Sequence, residues 1–121
     1  MRSGDVVCAT YGDFNCEKRV GIFVVLYNES NDRKYSYGHS NILACKITTN
    51  NFQGDSYTVR IYQGDGGLED DCLVNVSKVH TFATTQVYKK LGHLKKSTMA
   101  NIYKELRRFN FETESQVMGE I

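Results

Sequence analysis

The segment from Val20 to Asn28, VGIFVVLYN, is an unbroken apolar run closed by the polar stretch Glu29, Ser30, Asn31 and Asp32. A run of this length, rich in β-branched and aromatic residues, reads as a strand buried on both faces. Such a strand has to lie in the middle of a sheet. A second run from Ile42 to Thr49, ILACKITT, matches it in length and is separated from it only by polar residues. The two runs are expected to form the centre of the fold.

The remaining segments fall around this pair. Asp5 to Tyr11, DVVCATY, predicts a first strand. Glu17, Lys18 and Arg19 end the turn-rich connection that follows and stand at the mouth of the central strand; read alone they are a solvated loop. The stretch from Asn28 to Asn41 has no apolar period. In it Tyr35, Tyr37 and His39 alternate beside Arg33 and Lys34. Rings next to cations suit stacking on a single-stranded nucleic acid, and equally suit a loop folded back on the barrel. Ser56 to Tyr62 alternates, with Tyr57, Val59 and Ile61 on one face and Thr58, Arg60 and Tyr62 on the other, so one face is buried and one wet. Gln63 to Asp71 is a glycine-rich acidic turn that matches a calcium loop poorly. Cys72 to Val76 and Lys78 to Thr81 predict two short strands. Thr84 to Val87 suits one helical turn, and Tyr88 to Leu94 a strand bent at Gly92.

Met99, Ile102, Tyr103, Leu106 and Phe109 follow a helical period, so a helix is expected over about 97–109. Ser97 would cap its start, and Arg107 and Arg108 would lie in its last turn. Residues 112–121 are acidic and aperiodic, and predict a disordered tail beyond a single domain of residues 1–111.

At 121 residues the chain can bury a core without disulfides or metal. Its net charge of +1 provides no whole-molecule field for a nucleic acid or a membrane, so any such partner would be held by a local patch. Cys8, Cys16, Cys45 and Cys72 form no CxxC pair, which argues against a zinc site. The absence of a signal segment and of a long apolar span points to a cytoplasmic chain with reduced thiols and no membrane; no cofactor is expected.

Several short strands and one C-terminal helix make the expected class mainly β with one α-helix: a small, strongly bent antiparallel barrel. The order of motifs resembles the MazF/PemK toxins of toxin-antitoxin systems, including Kid. The matching segments are Gly4-Asp5-Val6-Val7, Arg19-Val20-Gly21 leading into Ile22 to Asn28, Ile47-Thr48-Thr49-Asn50, Val74 to Val79 followed by His80-Thr81, and Leu91-Gly92-His93-Leu94 before the helix. The resemblance runs over residues 3–110. It implies a Src-homology-3-like barrel, a homodimer, a metal-independent endoribonuclease acting on single-stranded RNA, and neutralisation by an antitoxin protein.

Cleaving RNA without a metal means driving the 2′-hydroxyl onto its own phosphorus. That requires a base, an acid and donors for the charge on the phosphorane oxygens. The resemblance implies that Thr48 donates to a phosphate oxygen and that an arginine opening the central strand clamps the phosphate. The family's arginine column falls on Gly21. Arg19, two residues earlier, faces the same way about 6 to 7 Å along the strand. It is either the clamp, with Lys18 as a substitute cation, or a surface arginine. Glu17 is the candidate base. The constellation of Arg and Asp that some members carry falls on Asn75 and Ser77 and is missing. Arg33, Lys34, Tyr35, Lys46, Thr49, Asn50, Arg60 and His80 are the expected RNA contacts. His80, with an ordinary pKa of roughly 6.5, is either an acid–base group or a packing residue. The alternative function is a barrel that binds RNA, DNA or a host protein without cutting.

Overall fold

The structure, a computed structural model, describes residues 1–12, 18–28, 41–49 and 57–119. Its strands are β1 (Asp5–Gly12), β2 (Lys18–Asn28), β3 (Asn41–Thr48), β4 (Thr58–Ile61), β5 (Cys72–Ala83) and β6 (Val87–His93), followed by one helix, α1 (Lys96–Gly119). They form one six-stranded sheet in the order β4-β5-β3-β2-β1-β6, with every pairing antiparallel. The two long apolar runs are neighbours at its centre. Phe23, Val24 and Val25 are fully buried, so β2 is covered on both faces.

Alternation along the strands divides the interior into two clusters. Val6, Val24, Cys45, Ile47, Val74 and Val76 face α1, where Met99 and Ile102 complete the packing. Val7, Ala9, Phe23, Val25, Ile42, Ala44 and Phe82 point to the other face. Fully burying a side chain of the size of Phe23 stabilises the fold by about 1.5 to 3 kcal/mol.

The stretch from Cys72 to Thr81, expected as two strands, is part of a single strand with a bulge. Cys45 pairs with Val79 and Ile47 with Val74, so β5 spends three more residues than β3 between the same two rungs. An odd excess reverses which face the strand's even-numbered residues occupy. Val74 and Val76 therefore pack toward α1, whereas Phe82 and the ring of His80 join the opposite face. The side chain of Asn75 organises the bulge: its Oδ1 accepts from the Ser77 amide at 2.9 Å and from the Ser77 hydroxyl at 2.6 Å. On the β4 side of the strand the Val76 amide donates to the Tyr57 carbonyl.

The expected cap and end of the helix are both corrected. α1 begins at Lys96, and the group at its N-terminus is a remote side chain, not Ser97. Buried Asp65 accepts from the Lys95 amide at 2.9 Å and from the Thr98 hydroxyl at 2.5 Å. It reaches them from a tight turn pressed on β6: a Cβ on Gly92 would stand 2.6 Å from the Gly66 backbone, and Gly66 itself has φ 66. At the other end the helix continues through 112–119, which the sequence reading gave to a disordered tail. Arg107 and Arg108 thus lie mid-helix. Phe109 packs edge-on against Tyr57 at 5.0 Å, Arg108 pairs with Glu105 and Glu112, and the Tyr57 hydroxyl donates to Glu112. No helix among the described residues is long and apolar enough to cross a membrane.

Candidate active site

The face of the sheet turned away from α1 carries the polar residues singled out from the sequence. Residues directly opposite in an antiparallel pair share a face, as do alternate residues along a strand. Arg19 lies opposite Tyr11, and Lys46 lies opposite Phe23. Arg19, Gly21 and Phe23 therefore face the same way on β2, with Lys46 and Thr48 beside them on β3. His80, opposite Ala44, arrives on this face from β5 because of the bulge.

The ring of Tyr11 is central to this group. Lys46 Nζ donates to the Tyr11 hydroxyl at 2.8 Å. The Tyr11 ring meets Phe23 edge-on at 5.5 Å and His80 at 5.7 Å, and His80 lies 5.3 Å from Phe23. Burial, helped by the charges of Lys46 and Lys78, holds the His80 pKa below its ordinary value, so the imidazole is neutral at pH 7. A neutral imidazole has one nitrogen free to accept a proton.

The lack of a side chain at residue 21, where the resemblance implies an arginine, has a steric explanation. A Cβ on Gly21 would stand 3.1 Å from Tyr11 Cε1 and 3.0 Å from Phe23 Cε2. Two rings fill the space that a side chain at this position would leave by. The cations near the face come instead from Arg19, exposed at the start of β2, and from Lys46.

The other expected residues are distributed as follows. Thr48 is partly exposed at the end of β3, level with Leu73, and Thr49 follows it, exposed. Arg60 is level with the same Leu73 on β4, so it stands two strands from Thr48, roughly 10 Å across the sheet. It forms an ion pair with Asp71 at 2.9 Å. The Gln63 amide and this arginine together hold the Asp71 carboxyl below its usual range. Glu17, Arg33, Lys34, Tyr35 and Asn50 lie outside the described residues, as does the side chain of Lys18. Asn75 and Ser77 serve the bulge.

Tyr11 was not singled out from the sequence. Its participation follows from strand register, which sets it level with Arg19 and within reach of Lys46, a residue 35 positions away. Lys78 was likewise read only as part of a strand. Among the described residues no group of three His, Cys, Asp or Glu side chains is placed to hold a metal ion. Cys45 is buried and its thiol is pushed up to about 11, which leaves it unreactive at neutral pH.

Solved structures with the same fold include a mycobacterial endoribonuclease in complex with its cognate antitoxin, at 18% identity and a TM-score of 0.66 over 90% of this chain and 93% of that one. Another solved structure, of an endoribonuclease from a mycobacterial species, aligns at 18% identity and a TM-score of 0.66 over 90% of this chain and 89% of that one. The Mycobacterium tuberculosis toxin MazF-mt6 aligns at 15% identity and 0.64 over 87% and 94%. At these identities the likeness establishes the fold. A comparison with curated proteins finds no match by sequence. The family described as PemK-like, MazF-like toxin of type II toxin-antitoxin system matches residues 2–109. The chain belongs to that family of toxins.

Proposed function

We propose that this protein is the toxin of a toxin-antitoxin pair and acts as a metal-independent endoribonuclease on single-stranded RNA. Attack of a 2′-hydroxyl on the adjacent phosphorus would leave a 2′,3′-cyclic phosphate and a 5′-hydroxyl. The observation that carries this reading is the placement of Arg19, Lys46, Thr48 and His80 on one sheet face. Two cations and a hydroxyl supply donors for a phosphorane, and a neutral imidazole on the same face, within the field of Lys46, suits proton transfer. Family membership supports the toxin role, and the antitoxin in the similar mycobacterial complex supports a protein partner of that kind.

The working form in this proposal is a cytoplasmic homodimer, with Thr49 and Arg60 at the margin of the RNA path. Arg19 clamps the phosphate from the start of β2, and Thr48 donates to a phosphate oxygen. The test is incubation of purified protein with a long single-stranded RNA in excess chelator, comparing wild type with Arg19→Ala and Thr48→Ala. Cleavage by wild type, with Thr48→Ala reduced about 10²- to 10³-fold, is the expected result.

Gly21 favours a second reading. With the rings of Tyr11 and Phe23 over the arginine column, the barrel would bind RNA, DNA or a host protein without cutting. RNA left intact by well-folded wild type would support that alternative.

A further inference from the structure

We infer that Tyr11, Lys46 and His80 form the reacting centre of this sheet face, Tyr11 and Lys46 as paired donors to the scissile phosphate and His80 as the base. The inference rests on the ribonuclease reading and assigns the base to a described residue, where the sequence had left Glu17 and His80 both open.

An ammonium has only protons to give, so in the 2.8 Å contact Lys46 is the donor and the Tyr11 oxygen the acceptor. The hydroxyl's own proton must then point away from Lys46, toward another acceptor. Lys46 retains further N–H groups, since only one is used here. A phosphate at the rim would meet two donors on adjacent groups, one of them charged. Tyr11 is fixed for this task, with its ring wedged over Gly21 and against Phe23.

His80 completes the arrangement. Its ring lies 5.7 Å from that of Tyr11 at 69°, close enough for one ribose-phosphate unit to touch both. The titratable and charged groups against its ring are Tyr11 from β1 and Lys46 from β3, with Lys78 on its own strand. Both cations favour the neutral ring. In the reaction the 2′-hydroxyl proton passes to the free imidazole nitrogen as the O2′–P bond forms. The P–O5′ bond breaks with its electron pair on O5′, which takes a proton from water, and the imidazolium returns its proton to solvent. Lys46 and Tyr11 stabilise the charge on the non-bridging oxygens meanwhile.

The test is the pH profile of kcat/KM on a single-stranded RNA that wild type cleaves, with Tyr11→Phe, His80→Gln and Lys46→Gln. Circular dichroism confirms folding, and Tyr11→Phe keeps the ring that packs on Gly21. Tyr11→Phe is expected to slow cleavage about 10- to 100-fold, and His80→Gln about 10²- to 10³-fold. Wild type should lose activity as pH falls through a pKa below that of an ordinary imidazole. Lys46→Gln, besides slowing the reaction, should move that acidic limb to higher pH, which loss of packing alone would not do. Folded Tyr11→Phe and His80→Gln proteins that cut at the wild-type rate with an unmoved limb would overturn this inference and leave the ribonuclease reading standing. Wild type that cuts no RNA would overturn both.

Discussion

The ring of Tyr11 lies over Gly21, so that a Cβ on the glycine would come within 3.1 Å of Tyr11 Cε1. The tyrosine thus determines what residue 21 can be. Gly21→Arg, which would place an arginine in the family's column, is expected to cost about 1 to 3 kcal/mol through overpacking against Tyr11 and Phe23. It should not raise cleavage. Urea denaturation of the variant, followed by an RNA cleavage assay, checks both parts.

The bond from Asp65 to the start of α1 predicts a second effect. Asp65→Ala leaves the Lys95 amide and the Thr98 hydroxyl without their acceptor and opens a gap under the helix end. The expected loss is about 1 to 2 kcal/mol. Ser97→Ala should be near neutral by comparison, since Ser97 is exposed within the first turn. Midpoints of chemical denaturation for the two variants separate these outcomes.

Stability should fall in acid partly through Asp5. Burial raises its pKa, but hydrogen bonds from the Arg2 amide, His93 and Lys90, with the charge of Lys90, outweigh burial and hold it below the ordinary value. A carboxyl with a depressed folded-state pKa contributes stability that is present above its unfolded value near 3.8 and is lost as pH falls through the folded one. Asp5→Asn should lower stability at neutral pH and flatten its decline below about pH 4. Denaturation midpoints across that range measure the slope.

The last two turns of α1 depend on one polar contact beyond the apolar stripe. Tyr57→Phe removes the donor to Glu112 while keeping the ring that Phe109 and Arg108 pack against. Amide exchange in 110–119 should speed up while exchange at Ile102 is unchanged. Equal exchange in both proteins would show that the helix end is held another way.

Much of the fold is legible in the chain because each segment's pattern agrees with its place. VGIFVVLYN could only be an interior strand, and Met99, Ile102, Tyr103, Leu106 and Phe109 could only be one helix face. The errors arise where a distant polar group decides. The helix outlasts its stripe because Tyr57, 55 residues before Glu112, anchors the far end. Its cap comes from Asp65, hidden in an acidic turn that reads as solvated. The break expected in the middle of β5 is instead a bulge, which carries His80 to the face where Lys46 lies. Tyr11 could not be picked out for the same reason: strand register, not local pattern, brings it to Lys46.

The chemistry of the RNA ends separates transesterification by the 2′-hydroxyl from hydrolysis and from binding without cleavage. Wild type incubated with a long single-stranded RNA in excess chelator should yield fragments ending in 2′,3′-cyclic phosphate and beginning with 5′-hydroxyl. Fragments bearing 5′-phosphate and 3′-hydroxyl ends, or RNA left uncut by folded protein, would contradict it.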